Sequence, residues 1–108
     1  MNNVQIAQTI LEQIKASDKM ALWAWGAKKF VALDTGRAEL GGDTQLGGVK
    51  FSVNGLKYNG TVMVRLMAND TYTVEIGRPY KGQFKVKSKL EGVYCDMLAD
   101  IIDGLVER

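Results

Sequence analysis

A chain of 108 residues, 46% apolar and 24% charged, has the material for one hydrophobic core and no second domain. Its net charge of +2 gives little general attraction to polyanions, and no apolar run approaches the roughly 20 residues that cross a bilayer. With no histidine and one cysteine, Cys95, an intramolecular disulfide is excluded and the commonest general base and zinc ligand are missing, so any catalysis rests on carboxylates, lysines or tyrosines.

The chain opens on Met1-Asn2-Asn3 without the basic segment of a secretory signal, which together with the single cysteine sets the expectation of a cytoplasmic protein. From Val4 to Ala16, Ile6, Ala7, Ile10, Leu11 and Ile14 recur at three- and four-residue spacing and predict an amphipathic helix, with Asn2 or Asn3 as its N-cap. Met20 to Trp25 alternates like a strand, placing Trp23 and Trp25 on one face beside Lys28 and Lys29. Gly26 to Lys28 reads as a turn and Phe30 to Leu33 as a second short strand. Residues 34–48 carry five glycines and predict a long mobile loop.

Val49, Phe51 and Val53 resume the alternation, and residues 54–60, with Asn54-Gly55 and Asn59-Gly60, read as one connection between strands. The clearest pattern follows. Val62, Val64, Leu66 and Ala68 fall on one face, and Tyr72, Val74 and Ile76 continue it after Asn69-Asp70-Thr71. Pairing Leu66 with Val74 and Val64 with Ile76 sets Arg65 opposite Glu75 on the other face. Gly77-Arg78-Pro79 is expected to break pairing, and Gln83 to Leu90 to form the last strand with Phe84, Val86 and Ser88 inward. A closing helix over 93–106 has Tyr94, Met97, Leu98, Ile101, Ile102 and Leu105 as its apolar stripe and Asp96, Asp100, Asp103 and Glu107 outside. The fold class is therefore α+β: an antiparallel sheet of about five to six strands with an N-terminal and a C-terminal helix packed on one face.

Four segments occur in a characteristic order: Ile6-Ala-Gln-Thr-Ile-Leu-Glu-Gln-Ile14, Gly26-Ala27-Lys28, Asp70-Thr-Tyr-Thr-Val-Glu-Ile-Gly77 and Glu91-Gly-Val-Tyr-Cys-Asp-Met-Leu98. In this the chain resembles a family of small bacteriophage- and prophage-encoded proteins of unknown function, many from gut bacteria. The resemblance spans the chain except residues 34–47 and 54–60. It departs where family members tend to carry a threonine at the position of Trp25 and glycines at Ser17-Asp18. It implies a phage setting in a bacterial host cytoplasm and no particular activity.

Charge is segregated along the chain. Residues 50–89 hold eight cations against Asp70 and Glu75, and residues 91–108 hold five carboxylates against Arg108. Lys85, Lys87 and Lys89 share one strand face by the two-residue period, at a spacing suited to the phosphates of a nucleic-acid strand; lysines there also keep an edge strand from pairing. With Arg65 they form a basic outer face. Trp23 and Trp25, flanked by Lys28 and Lys29, offer a stacking platform of the kind single-strand binders use, if exposed, and core aromatics if buried. The expected function is non-enzymatic binding, with nucleic acid as the partner class and no cofactor, metal or membrane. The alternative is a protein–protein module, either a homo-oligomer or an inhibitor of a host factor, using Met63, Met67 and the acidic helix.

Overall fold

A computed structural model describes residues 3–33 and 45–107, and the larger part of the expected 34–48 loop, 34–44, lies outside them, as does Asn2. The first helix, α1 (Asn3–Ser17), buries Ile6, Ala7, Ile10 and Ile14, the stripe its sequence spacing defines. Five strands follow in consecutive antiparallel order: β1 (Lys28–Leu33), β2 (Gln45–Asn54), β3 (Asn59–Met67), β4 (Tyr72–Tyr80) and β5 (Gln83–Val93). The closing helix is α3 (Leu98–Val106), and α1 lies over β1 and β2 while meeting α3. Both helices bury their apolar sides against Val49, Phe51, Val53, Val62, Val64, Val74 and Ile76, so the α+β architecture is the one the alternation implies. Residues 45–48, expected in the loop, belong to β2.

Residues 20–25 do not form a strand. Ala21–Ala24 is a single helical turn, α2, closed by Ala24 N–H to the Met20 carbonyl and Trp25 N–H to the Ala21 carbonyl, both 2.9 Å. Asp18 prepares it: its carboxylate accepts the Met20 N–H at 3.1 Å and its carbonyl accepts the Ala21 N–H. Ala21 and Trp25, four residues apart, therefore both enter the core, while Trp23 is 79% exposed. Two alanines favour helix over strand, and six residues are too few for periodicity to discriminate.

The β3–β4 register also differs from expectation. Leu66 pairs with Tyr72, Val64 with Val74 and Val62 with Ile76, two residues tighter than predicted. Asn69 is the cause. Its side-chain oxygen accepts from the Thr71 N–H at 3.2 Å and hydroxyl at 2.7 Å, Asp70 takes a left-handed φ of 69°, and the loop closes over Ala68–Thr71. A two-residue slide keeps every side chain on its face. Arg65 now stands opposite Thr73, yet its guanidinium still reaches Glu75 diagonally and donates to that carboxylate.

Gly77-Arg78-Pro79 does not end the ladder. Past Thr61–Gly77, β3 pairs only with β2 and β4 only with β5, so the missing N–H of Pro79 leaves no partner unsatisfied on its free side. The hairpin turns at Lys81-Gly82, whose φ values of 49° and 80° are the two positive angles of a type I′ turn. At the other end, β5 continues to Val93, and a 3-10 turn at Cys95–Met97 precedes α3. Tyr94 and Met97, expected in the apolar stripe, are exposed, whereas Leu98, Ala99, Ile102 and Val106 are buried.

Buried Tyr72 donates its hydroxyl to Gln13 at 2.7 Å, tying β4 to α1. Desolvation raises its phenol above the ordinary value of 10.0, against the lowering effect of the Gln13 bond. The unfolded phenol then ionises first, so the stabilisation is fully present below pH 10 and is lost as pH rises through the folded value. Thermal melts across this range should fall more steeply for the native chain than for Tyr72→Phe, which starts lower for want of the Gln13 bond. Parallel slopes would show that Tyr72 does not report the transition.

Candidate nucleic-acid interface

The β4–β5 hairpin tip projects with Arg78 through Gln83 exposed. Beside it, the β2–β3 connection docks on the end of α3, where Val106 offers a carbonyl that no later helical turn satisfies. Lys57 N–H and Tyr58 N–H both donate to it, at 2.8 and 3.1 Å, and the Lys57 ammonium caps the Gly104 carbonyl at 3.1 Å. Gly55 permits this approach, since a Cβ there would collide with Val106. Between the connection and the hairpin lies an open groove of about 590 Å³.

Its walls carry Lys57, Tyr58, Arg78, Tyr80, Lys85 and Lys87, four cations and two phenol rings, with no carboxylate in its lining among the described residues. The cations lie over the rings. Arg78 and Lys87 sit 5.5 and 4.8 Å from the Tyr58 centroid, and Lys81 and Lys85 sit 5.3 and 5.6 Å from that of Tyr80. These contacts offset part of the repulsion of gathering like charges. Arg78 Nε donates to the Asn59 carbonyl at 2.7 Å, which fixes the direction of its guanidinium fork. Tyr58 is buried, whereas Tyr80 is 58% exposed.

The predicted basic stripe is divided. Lys89 pairs with Glu75 and Lys85 with Arg78; side chains alternate along β4, so these two lysines point to opposite faces. The register shift between Ile76 and Gly77 is the cause, because β5 there spends two residues against one. At Gly77 a Cβ would strike the Lys85 carbonyl, so the bulge requires a residue without one. Lys89 and Arg65 remain on the uncovered sheet face, with Lys89 bridged to Glu91 at 3.3 Å and Arg65 to Glu75. Val86, expected inward, pairs with Gly77 and is exposed.

Trp25 leaves the proposed platform altogether: it is fully buried and its indole N–H donates to Asp103 at 3.0 Å. Asp103 is thereby turned inward from the expected acidic stripe. Trp23, Lys28 and Lys29 remain exposed. Of the other proposed anchors, Met63 is buried with its sulfur accepting from Arg65 at 3.3 Å, and Met67 is half-buried. Sequence reasoning missed Tyr58, Arg78 and Tyr80. The available signal was Lys81-Gly82 as a hairpin turn, which places Tyr80 and Arg78 opposite Gln83 and Lys85.

Among the described residues, no group of three or more His, Cys, Asp or Glu side chains could hold a metal ion, and no helix is long and apolar enough to cross a membrane. No protein-family model, curated protein or solved structure matches the chain. What defines the protein is its class, a five-stranded antiparallel meander with both terminal helices on one face and a basic, tyrosine-walled groove at one end.

Proposed function

We propose that this protein is a non-enzymatic binding module for single-stranded nucleic acid, acting in the phage or prophage setting that the sequence resemblance implies, in the host cytoplasm. One observation carries the reading: Arg78, Lys85 and Lys87 converge on two tyrosine rings in an open groove. Cations that neutralise phosphates, set beside an exposed aromatic ring on which a base stacks, are the two requirements for holding a single strand without reading its sequence, and of the two rings Tyr80 is the exposed one. An acidic protein segment supplies the charge but no rings to stack, so Tyr80→Leu separates the two occupants.

Anisotropy of a fluorescent oligothymidylate, titrated with protein at several salt concentrations, tests this directly. Four neutralised phosphates give a slope of log affinity against log salt of about −2.8, or roughly a 50-fold loss between 50 and 200 mM. Absence of binding at 50 mM salt and high protein concentration would sink the reading and leave an acidic protein, host or phage, as the occupant to pursue.

A further inference from the structure

The groove is not the whole of the basic surface at this end of the sheet. The registers bring Lys28 at the start of β1, the Asn54–Asn59 connection, and the β4–β5 tip to the same end of the five strands. Strands lie about 4.8 Å apart, so that end spans roughly 19 Å from β1 to β5. Cations occur along it at Lys28 and Lys29, at Lys57, and at Arg78, Lys81 and Lys85.

Trp23 stands at the β1 side. The side chains of Ala21 and Trp25 are locked in the core, so α2 holds the exposed indole on a fixed support. The Trp25 carbonyl accepts the Asn54 N–H at 2.7 Å, and Asn54 adjoins Gly55 in the groove wall. Leu56, 89% exposed, lies in the connection between the two aromatic positions. An exposed indole held on a rigid turn at the same end of the sheet as the groove is a surface on which a base can stack.

We infer that the groove is one end of a longer track, in which one nucleic-acid strand runs along the end of the sheet and stacks a base on Tyr80 and another on Trp23. This rests on the nucleic-acid reading of the groove and extends it to a footprint. At about 3.4 Å of strand per nucleotide, that span holds roughly six, within the site sizes of about 4–16 nucleotides typical of small single-strand binding domains. Lys57, in the groove wall, neutralises a phosphate between the two rings.

Tryptophan fluorescence reads the inference separately from the groove. Trp25 is sealed in the core, so a 12-residue oligothymidylate that stacks on Trp23 should quench the emission of the native chain and leave Trp23→Phe unquenched. Trp23→Ala should weaken that oligonucleotide about tenfold, within the range of one base stack, with far-UV circular dichroism unchanged. Binding that depends on Lys85 and Lys87 yet neither quenches emission nor responds to Trp23→Ala would overturn the track and leave the groove standing. No binding of the 12-mer at low salt would overturn both.

Discussion

Replacing Trp25 with alanine should destabilise the fold by about 3–5 kcal/mol, the cost of truncating a fully buried large aromatic side chain. A domain of this size has about 5–15 kcal/mol in total, so the variant should melt more than roughly 12 °C below the native chain. The indole fills the core between α1, α3 and the sheet, and its N–H donates to Asp103 at 3.0 Å. Trp25→Phe keeps most of the ring volume and loses the donor, so it should lie between the two. Trp23→Ala is the internal control: an exposed side chain is expected to change stability by no more than about 0.5 kcal/mol. On a strand the two tryptophans would share a face and respond alike. Equal effects at 23 and 25, measured by thermal and urea denaturation, would therefore refute the helical turn as well as the burial.

The same pair marks where sequence reasoning reached its limit. Alternation over 49–53, 62–66 and 72–76 declared which side chains face the helices, because face depends only on a period of two. Register depends on turn chemistry instead. Asn69 draws the β3–β4 loop in by two residues, a change that preserves every face and so leaves the hydrophobic pattern silent. Met20 to Trp25 fits both periods, and Asp18, which supplies a carboxylate and a carbonyl to the first turn of α2, was the signal that decided between them. For the site, the sequence offered Lys85, Lys87 and Lys89 in perfect alternation. A bulge breaks that alternation without changing composition, and its one trace is Gly77, pressed against the Lys85 carbonyl.

Charge placement on β5 gives the sharpest test of that bulge. Lys85→Glu with Lys87→Glu should weaken oligothymidylate binding about 150-fold, taking roughly 1.5 kcal/mol for each charge-assisted hydrogen bond to phosphate that is removed. Neutralising the same two as Lys85→Gln with Lys87→Gln should also flatten the salt slope by about 1.4, the share of two phosphates on a single strand. Lys89→Gln should change affinity by less than about threefold, since Lys89 lies on the far face beside Glu75 and Glu91 and solvent screens it over about 8–10 Å. All three lysines are exposed, so the comparison is made between variants that retain the fold, which melting curves verify. Were Lys89 to matter as much as Lys85, the strand would be running along the uncovered sheet face, with Arg65 beside it, and the groove would not be the site. The two outcomes differ because one bulge turns one lysine to one side of the sheet and leaves the other behind, so the mutational pattern reads the backbone as directly as it reads the ligand.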